Sequence, residues 1–133
     1  MPQSNIDLVK SLYAAFGRGE IEKIIEAATP DVSWRLNGRR SDDPLFGERH
    51  GLAGVREFFQ ILSENEEAIE FTPREFYTVQ DKVFVLGHYK WRIRATGKTP
   101  ESDFIHIFTL AGDKYRSFLE FTDTAQFAEA QRK

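Results

Sequence analysis

The residues with the clearest potential for chemistry lie in two apolar segments of the last third of the chain. His106 stands within segment 102–110 and Glu120 within segment 114–123, each among large hydrophobic side chains. An ionisable group in such surroundings costs free energy unless it is paired or used. An imidazole and a carboxylate that meet in an apolar pocket can transfer a proton at a carbon next to a carbonyl group. His106 and Glu120 are therefore the first candidates for catalytic residues.

The turn between these segments decides whether the two side chains share a face of the sheet. A three-residue loop at 111–113 would place His106 diagonally across from Glu120, on one face and within about 7 Å. A two-residue loop would place Glu120 on the opposite face and separate the pair. The sequence leaves both loop lengths open. The sequence also leaves open that His106 is an ordinary buried histidine and that Glu120 is a carboxylate at the surface or at an interface.

Composition excludes several classes of function. The chain has 133 residues, of which 41% are hydrophobic, and this indicates one globular domain over residues 1–133. It has no cysteine, which excludes disulfides, thiolate metal sites and a cysteine nucleophile. A formal net charge of −3 offers no basic surface, so we expect no nucleic-acid partner.

Metal ions and cofactors are not expected either. The three histidines have no metal-ligand spacing, and no glycine-rich phosphate loop follows a strand. The first residues lack the pattern of a signal peptide, and no apolar run is long enough to span a bilayer. We expect a cytoplasmic protein with no membrane partner, no metal and no cofactor.

Apolar spacing predicts mostly helices in the first half of the chain and strands in the second. Ser4 or Asn5 is predicted to cap a first helix with apolar residues up to Phe16. A second helix is predicted to begin at Ile21 and to stop before Pro30. The other predicted elements are a strand at 32–36, a loop at 37–54, a helix at 55–62, strands at 69–71, 76–79, 82–96, 102–110 and 114–121, and a C-terminal helix capped by Asp123.

This order of elements is typical of an α+β domain, in which helices pack on one face of a curved sheet. The strand at 102–110 is apolar on both faces, and the strand at 82–96 begins in the same way. Because the helices cover only one face, such a sheet needs a second cover. We therefore predict a homodimer formed through the sheet.

Several segments together carry a resemblance to a known family. They are 12–20, 30–34, Gly47 with Gly51, 54–59, 85–97 and 104–123. In this order they resemble the SnoaL-like proteins related to ketosteroid isomerase, within the nuclear transport factor 2-like superfamily. The resemblance covers nearly the whole chain. It implies a cone-shaped α+β fold, in which N-terminal helices pack on a curved, mostly antiparallel sheet and enclose an apolar pocket.

The resemblance also bears on individual residues. The tyrosine, base and acid of a steroid isomerase match Leu12, a position at or near Leu36, and His106. Tyr13 lies one residue from the tyrosine position, and this turns it away by about 100° around a helix. Two of the three positions have thus lost their chemistry, which argues against steroid isomerisation. The polyketide cyclase pattern of a histidine and a carboxylate matches His106 and Glu120, with Glu in place of the family's Asp.

Aromatic side chains are candidates for the wall of the pocket, although their spacing also suits a solid core. His50 lies in a glycine-flanked loop and is either a surface residue or a gate at the pocket mouth. His88 is predicted at the surface or a dimer interface, and Asp123 as a helix cap rather than a catalytic acid. The predicted substrate-binding residues are Leu12, Phe16, Trp34, Phe59, Tyr89, Trp91, Phe108 and Phe118.

These observations predict a small-molecule enzyme of the isomerase or cyclase type. It would act by acid/base proton transfer on an apolar or aromatic substrate that carries a carbonyl group. One alternative is a non-catalytic ligand-binding or scaffold protein of the same fold. Another is a protein-interaction module that uses the outer face of the sheet.

Overall fold

The computed structural model of the protein describes the backbone of residues 2–133 and the side chains of residues 4–133. In this part of the chain, three helices and two strands come first, four strands follow, and a helix comes last. The elements are α1 (Pro2–Gly17), α2 (Ile21–Glu26), β1 (Ala28–Leu36), β2 (Gly47–His50), α3 (Gly51–Asn65), β3 (Glu66–Val79), β4 (Lys82–Ile93), β5 (Glu101–Ala111), β6 (Lys114–Phe121) and α4 (Thr124–Gln131).

The strands form one curved, open sheet in the order β2-β1-β6-β5-β4-β3. Neighbouring strands are antiparallel except β1 and β6, which run parallel. Every second residue of β4 is buried from Val83 to Ile93, so one face of the sheet carries the core. Helix α1 packs on β3, and α3 packs on β1. The predicted α+β class is confirmed.

Two boundaries in the first half differ from the sequence prediction. Helix α1 begins at Pro2 rather than at a cap on Ser4 or Asn5, because proline is favourable in the first turn of a helix. The predicted loop at 37–54 contains β2 and the start of α3. Its exposed polar residues Glu48 and His50 suit β2 because this strand lies at the edge of the sheet and pairs only with β1.

Pro30 does not end a helix as predicted. Helix α2 already ends at Glu26, and Pro30 lies inside β1. The pairing of β1 with β6 is irregular between Ala28 and Ser33. Proline has no N–H to donate to a neighbouring strand, so it fits this interrupted part of the ladder.

The predicted strands at 69–71 and 76–79 are one long strand, β3, paired with β4. Its register is irregular between Ala68 and Glu70, and again between Pro73 and Glu75. Such irregularities are typical of β-bulges, and each extra residue reverses which side of the strand faces the core.

The turn between β5 and β6 has two residues, 112–113, yet His106 and Glu120 are directly opposite each other. The register shifts by one residue at Arg116, which has no partner in β5. With a two-residue loop and a regular ladder, Glu120 would pair with Ile105 and face the other side of the sheet. The bulge shifts the later residues of β6 by one position, so Glu120 lies on the same face as His106. Neither loop alternative from the sequence describes this hairpin, because both assume a regular ladder.

Helix α4 begins after Asp123, as predicted. A carboxylate oxygen of Asp123 accepts a hydrogen bond from the backbone N–H of Gln126 at 3.3 Å, and this confirms the predicted cap. Among the described residues, no helix is both long and apolar enough to cross a membrane.

Gly87 in β4 allows the close packing that holds the imidazole of His106. A Cβ atom on Gly87 would lie 2.6 Å from the carbonyl oxygen of Thr72 and would overlap the ring of Phe104. The ring of Phe104 stacks on that imidazole, with 4.1 Å between the ring centroids. A side chain at position 87 would therefore push on the group that orients His106.

We predict that Gly87→Ala lowers the free energy of unfolding by about 1–3 kcal/mol, the usual cost of overpacking a core. Urea denaturation followed by tryptophan fluorescence measures the change. Gly17→Ala is the matched control, because a Cβ there meets no atom within 4 Å. Equal losses of stability in the two variants would contradict this role of Gly87.

Candidate active site

A cavity of about 90 Å³ lies between the helices and the inner face of the sheet. One water molecule needs roughly 10–15 Å³ on this measure, so the space exceeds that of a single water several-fold. Aromatic rings make up much of the wall. All eight residues predicted to bind substrate line it, namely Leu12, Phe16, Trp34, Phe59, Tyr89, Trp91, Phe108 and Phe118.

The hairpin of β5 and β6 brings the predicted catalytic pair together at this cavity. The Nε2 atom of His106 and the Oε1 atom of Glu120 are 2.8 Å apart. Their residues are only 4% and 7% exposed, and both line the cavity. The geometry expected for a histidine oriented by a carboxylate is therefore present.

Tyr13 also belongs to this group, contrary to the sequence prediction. Its hydroxyl oxygen lies 2.7 Å from Nδ1 of His106, and its ring lines the cavity beside that of Leu12. A turn of 100° around α1 does not remove a long side chain from a broad buried face. The phenol ring lies nearly parallel to the imidazole, with 7° between their planes.

The hydrogen bonds assign the proton positions of this group. A carboxylate only accepts hydrogen bonds, so Nε2 of His106 donates to Glu120. In the neutral imidazole Nδ1 is then an acceptor, and the hydroxyl of Tyr13 donates to it. Burial, and secondly the negative charge of Glu120, raise the pKa of Tyr13 well above its ordinary value. Tyr13 thus keeps its proton at neutral pH.

Two further carboxyl groups line the cavity, Asp43 and Glu66. Asp43 accepts hydrogen bonds from the backbone N–H of Leu45 at 2.8 Å and from the amide of Gln131 at 3.2 Å. Burial raises the pKa of Asp43, and these hydrogen bonds oppose that rise. Both oxygens of Asp43 are thus hydrogen-bonded within the protein. The rest of the cavity wall is mostly apolar.

Glu66 differs from Asp43 because one of its oxygens is buried without a partner. Its Oε2 atom forms no hydrogen bond, although the residue is only 4% exposed. Burial, and then the charges of Asp43 and Glu120, raise the pKa of Glu66 to about 8. Its carboxyl group is accordingly mostly protonated at neutral pH.

The SnoaL-like domain family matches residues 9–118 of the sequence. The chain belongs to this family. No curated protein matches it in sequence.

Solved structures of similar proteins cover almost the whole SnoaL-like chain. An NTF2-like protein from Burkholderia xenovorans LB400 is 30% identical and has a TM-score of 0.89, with 99% of this chain and 98% of that chain covered. TerC, crystallised with polyporic acid, is also 30% identical, with a TM-score of 0.84 and coverage of 96% and 97%. A candidate SnoaL-like polyketide cyclase from Mesorhizobium loti is 17% identical, with a TM-score of 0.71 and coverage of 87% and 97%, and shares the fold.

The sequence prediction missed four polar residues of this SnoaL-like cavity, Tyr13, Asp43, Glu66 and Thr122. Counting back from Phe71 in steps of two predicts that Glu67 faces inward. The bulge after Ala68 reverses the alternation, so Glu66 faces the core instead. For Asp43, the only available signal was its place in the predicted loop at 37–54.

Three other predicted residues lie away from the cavity. Asp123 caps α4, and His50 is an exposed residue at the end of β2, as the surface interpretation expects. His88 lies on the outer side of the sheet, where its ring nitrogens contact Asp103 at 2.8 Å and Glu101 at 2.7 Å. Hydrogen bonds to these two carboxylates raise the pKa of His88.

The described residues include one group with the spacing to hold a metal ion, formed by Glu70, His88 and Glu101. Its ligand atoms lie within 4.8 Å of one another. A protonated His88 between acidic groups explains the same arrangement as a surface ion-pair network. The group lies apart from the cavity, and we assign it no part in the chemistry.

Glu66 predicts a pH dependence of stability. Glutamate titrates near 4.5 in the unfolded chain, whereas the pKa of Glu66 in the fold is about 8. Between these values the unfolded chain loses a proton that the folded chain retains. The stability contributed by Glu66 is therefore present below about pH 4.5, falls as the pH rises, and levels off above about 8.

We expect Glu66→Gln to gain stability over wild type by up to about 1.4 kcal/mol for each pH unit in this interval. Urea denaturation of both proteins from pH 4 to pH 9 measures the difference. The exposed neighbour Glu67 provides the matched control, Glu67→Gln, whose difference should stay flat. A flat difference for Glu66→Gln as well would show that Glu66 ionises normally in the fold.

Proposed function

We propose that the protein is an enzyme of the isomerase or cyclase type, which transfers a proton on an aromatic substrate with a carbonyl group. The observation that carries this proposal is the chain of hydrogen bonds from Glu120 through His106 to Tyr13 in the wall of a buried aromatic cavity. Membership of the SnoaL-like family supports the reaction class.

In this proposal Tyr13, rather than His106, exchanges protons with the substrate. Both ring nitrogens of His106 are already hydrogen-bonded within the protein, so the imidazole has no free nitrogen to offer. The hydroxyl of Tyr13 stands at the end of this series of hydrogen bonds, and Tyr13 lines the cavity. Tyr13 is then the catalytic residue, with His106 and Glu120 acting through it.

Proton transfer through Tyr13 avoids a free tyrosinate, which burial strongly disfavours. As the substrate gives a proton to the Oη atom of Tyr13, the hydroxyl proton of Tyr13 moves to Nδ1 of His106. The resulting imidazolium is stabilised by the carboxylate of Glu120, much as a buried acid stabilises histidine in other enzymes. The reverse transfer returns a proton to another position of the substrate, so the protein is unchanged after each cycle.

The aromatic wall favours a flat, apolar substrate. The rings of Trp34 and Phe118 are stacked with 4.1 Å between their centroids, and Phe58 and Phe59 pack on the same indole. TerC was crystallised with polyporic acid, a dihydroxybenzoquinone with two phenyl substituents. We propose that this chain also takes an aryl-substituted ketone or quinone.

One observation favours the alternative of a ligand-binding protein without catalysis. The partners of both His106 nitrogens lie within the chain, an arrangement that would equally stabilise a fixed binding pocket. The two functions differ in whether a bound carbonyl compound exchanges hydrogen with solvent.

We also propose that a second copy of the chain covers the outer face of the sheet. Ile105 of β5 pairs with Phe121 of β6, and the two residues are 40% and 41% exposed. Leu86 of β4 pairs with Ile105 and lies on the same face. Tyr77, 52% exposed, adds to this face next to Phe84. A continuous apolar surface of this kind is typical of a protein interface.

We expect Tyr13→Phe to lower the rate of hydrogen exchange in a bound substrate by about 100-fold or more, the usual contribution of a general acid or base. The measurement is deuterium uptake from D₂O at the carbon next to the carbonyl, followed by mass spectrometry over a panel of aryl ketones that carry a hydrogen on that carbon. Phenylalanine keeps the ring and removes only the proton donor.

Tyr77→Phe is the matched control, since this phenol is exposed on the outer face and should not affect exchange. An unchanged rate in Tyr13→Phe would contradict the role of Tyr13. Tight binding of these compounds to wild type without any exchange would favour the ligand-binding protein.

The dimer proposal predicts that wild type has twice the mass of one chain by light scattering at micromolar concentration. Ile105→Lys should shift the protein to a monomer, because it places a charge in the centre of the apolar face. Glu64→Lys, an exposed change on α3, should leave the mass unaltered. A monomeric wild type would contradict the proposal.

A further inference from the structure

Three polar atoms in the wall of the cavity are buried without a hydrogen-bond partner. They are Oε2 of Glu66, Nε1 of Trp34 and Oγ1 of Thr122, and all three residues line the cavity. An unpartnered buried polar group costs free energy, so proteins rarely keep one without a reason. The first belongs to an acid, the second is a donor only, and the third is a hydroxyl that can donate or accept. A ligand with oxygen atoms could therefore satisfy all three.

We propose that Glu66 is a specificity-determining residue, which binds an oxygen substituent of an aromatic ligand through its free Oε2 atom. This deepens the proposed function and rests on it, because it assumes that the same cavity takes the aromatic compound. The ligand then has an oxygen-bearing ring that faces Glu66, in addition to the part that meets Tyr13.

Glu66 enters the cavity from a different part of the sheet than the proton-transfer group, although the charge of Glu120 still reaches it. In the sheet, His106 pairs with Val85 of β4, whereas Glu66 pairs with Ile93, eight residues further along the same strand. Tyr89 and Trp91 lie between these points on the cavity wall. Glu66 therefore contacts a different part of a bound molecule from the part beside Tyr13.

Asp43 indicates why Glu66, and not any acid of the cavity, has this role. The two oxygens of Asp43 accept hydrogen bonds from Leu45 and Gln131, so they are already satisfied within the protein. Glu66 lies close enough for the charge of Asp43 to affect it, yet its Oε2 atom has no such partner.

The protonation of Glu66 fits recognition of an oxygen atom. With a pKa of about 8 the carboxyl group carries a proton at neutral pH, so it can donate a hydrogen bond to a hydroxyl or enolate oxygen on the ring of the ligand. The indole N–H of Trp34 can donate to a second such oxygen. An aromatic hydrocarbon of the same shape would leave both groups unsatisfied, and the protein would bind it less tightly.

The test compares two ligands that differ only in oxygen substituents. Polyporic acid and 2,5-diphenyl-1,4-benzoquinone share the ring skeleton, and the second lacks the two hydroxyl groups. Their dissociation constants are measured by quenching of tryptophan fluorescence at pH 6.5 for wild type, Glu66→Leu and Glu66→Gln. Thr78→Val is the matched control, because Thr78 also has a buried oxygen without a partner but does not line the cavity.

We expect Glu66→Leu to weaken the binding of polyporic acid at least tenfold while changing that of the diphenylquinone less than threefold. Glu66→Gln, which can still donate, should retain most of the affinity, and Thr78→Val should match wild type. Equal effects of Glu66→Leu on both ligands would overturn the proposal, as would no effect on either. Failure of wild type to bind polyporic acid would overturn it too.

These outcomes are distinct from a failure of the proposed proton transfer. That failure is detected as unchanged deuterium uptake in Tyr13→Phe, whereas Glu66 is tested on relative affinity. If Glu66→Leu also reduces exchange at saturating ligand as strongly as Tyr13→Phe does, Glu66 acts in the chemical step and the assignment to specificity is wrong.

Discussion

The buried hydrogen bond between His106 and Glu120 is the interaction on which the candidate site depends. Without this bond, Nε2 of His106 and Oε1 of Glu120 would each lose their hydrogen-bond partner in an aromatic core, at a cost of several kcal/mol. The one-residue bulge at Arg116 removes this problem because it brings Glu120 onto the inner face, opposite His106. With a regular ladder and the same two-residue turn, Glu120 would face away. The candidate chemistry therefore depends on a β-bulge in β6, close to the turn of the hairpin.

Aromatic packing then gives the hydrogen-bonded pair its orientation. Phe104 stacks on the imidazole and Phe118 meets it edge-on at 4.8 Å, while Tyr13 lies parallel to it on another side. Rings are rigid and bury large areas, so they hold the imidazole plane at a small entropic cost. Gly87 makes this packing possible, because its lack of a side chain leaves room for the ring of Phe104. The group is thus preorganised before any ligand arrives.

Features that follow from a regular alternation of buried residues could be predicted from the sequence. Features that follow from irregular strand pairing could not. Alternation in β4 identified the inner face, and an imidazole in an apolar run identified His106. No local signal predicted the bulges that place Glu120 and Glu66, because a bulge is settled by how two strands fit along their whole length. Tyr13 was missed for another reason. A helical angle was treated as decisive, although the cavity is wide enough for two adjacent residues of α1 to reach it.

The polar atoms of the cavity also bear on the choice between a solid core and a ligand site. A core built for stability would replace Glu66 with a hydrocarbon side chain and fill the space beside it. Instead this chain keeps an unpartnered carboxyl oxygen, an unpartnered indole N–H and a fully engaged histidine around one apolar space. Places where a sequence departs from the rules of stable packing are commonly functional. Because Glu66 and Trp34 lie on different strands, one occupant of the cavity accounts for both departures, whereas structural roles would need a separate reason for each.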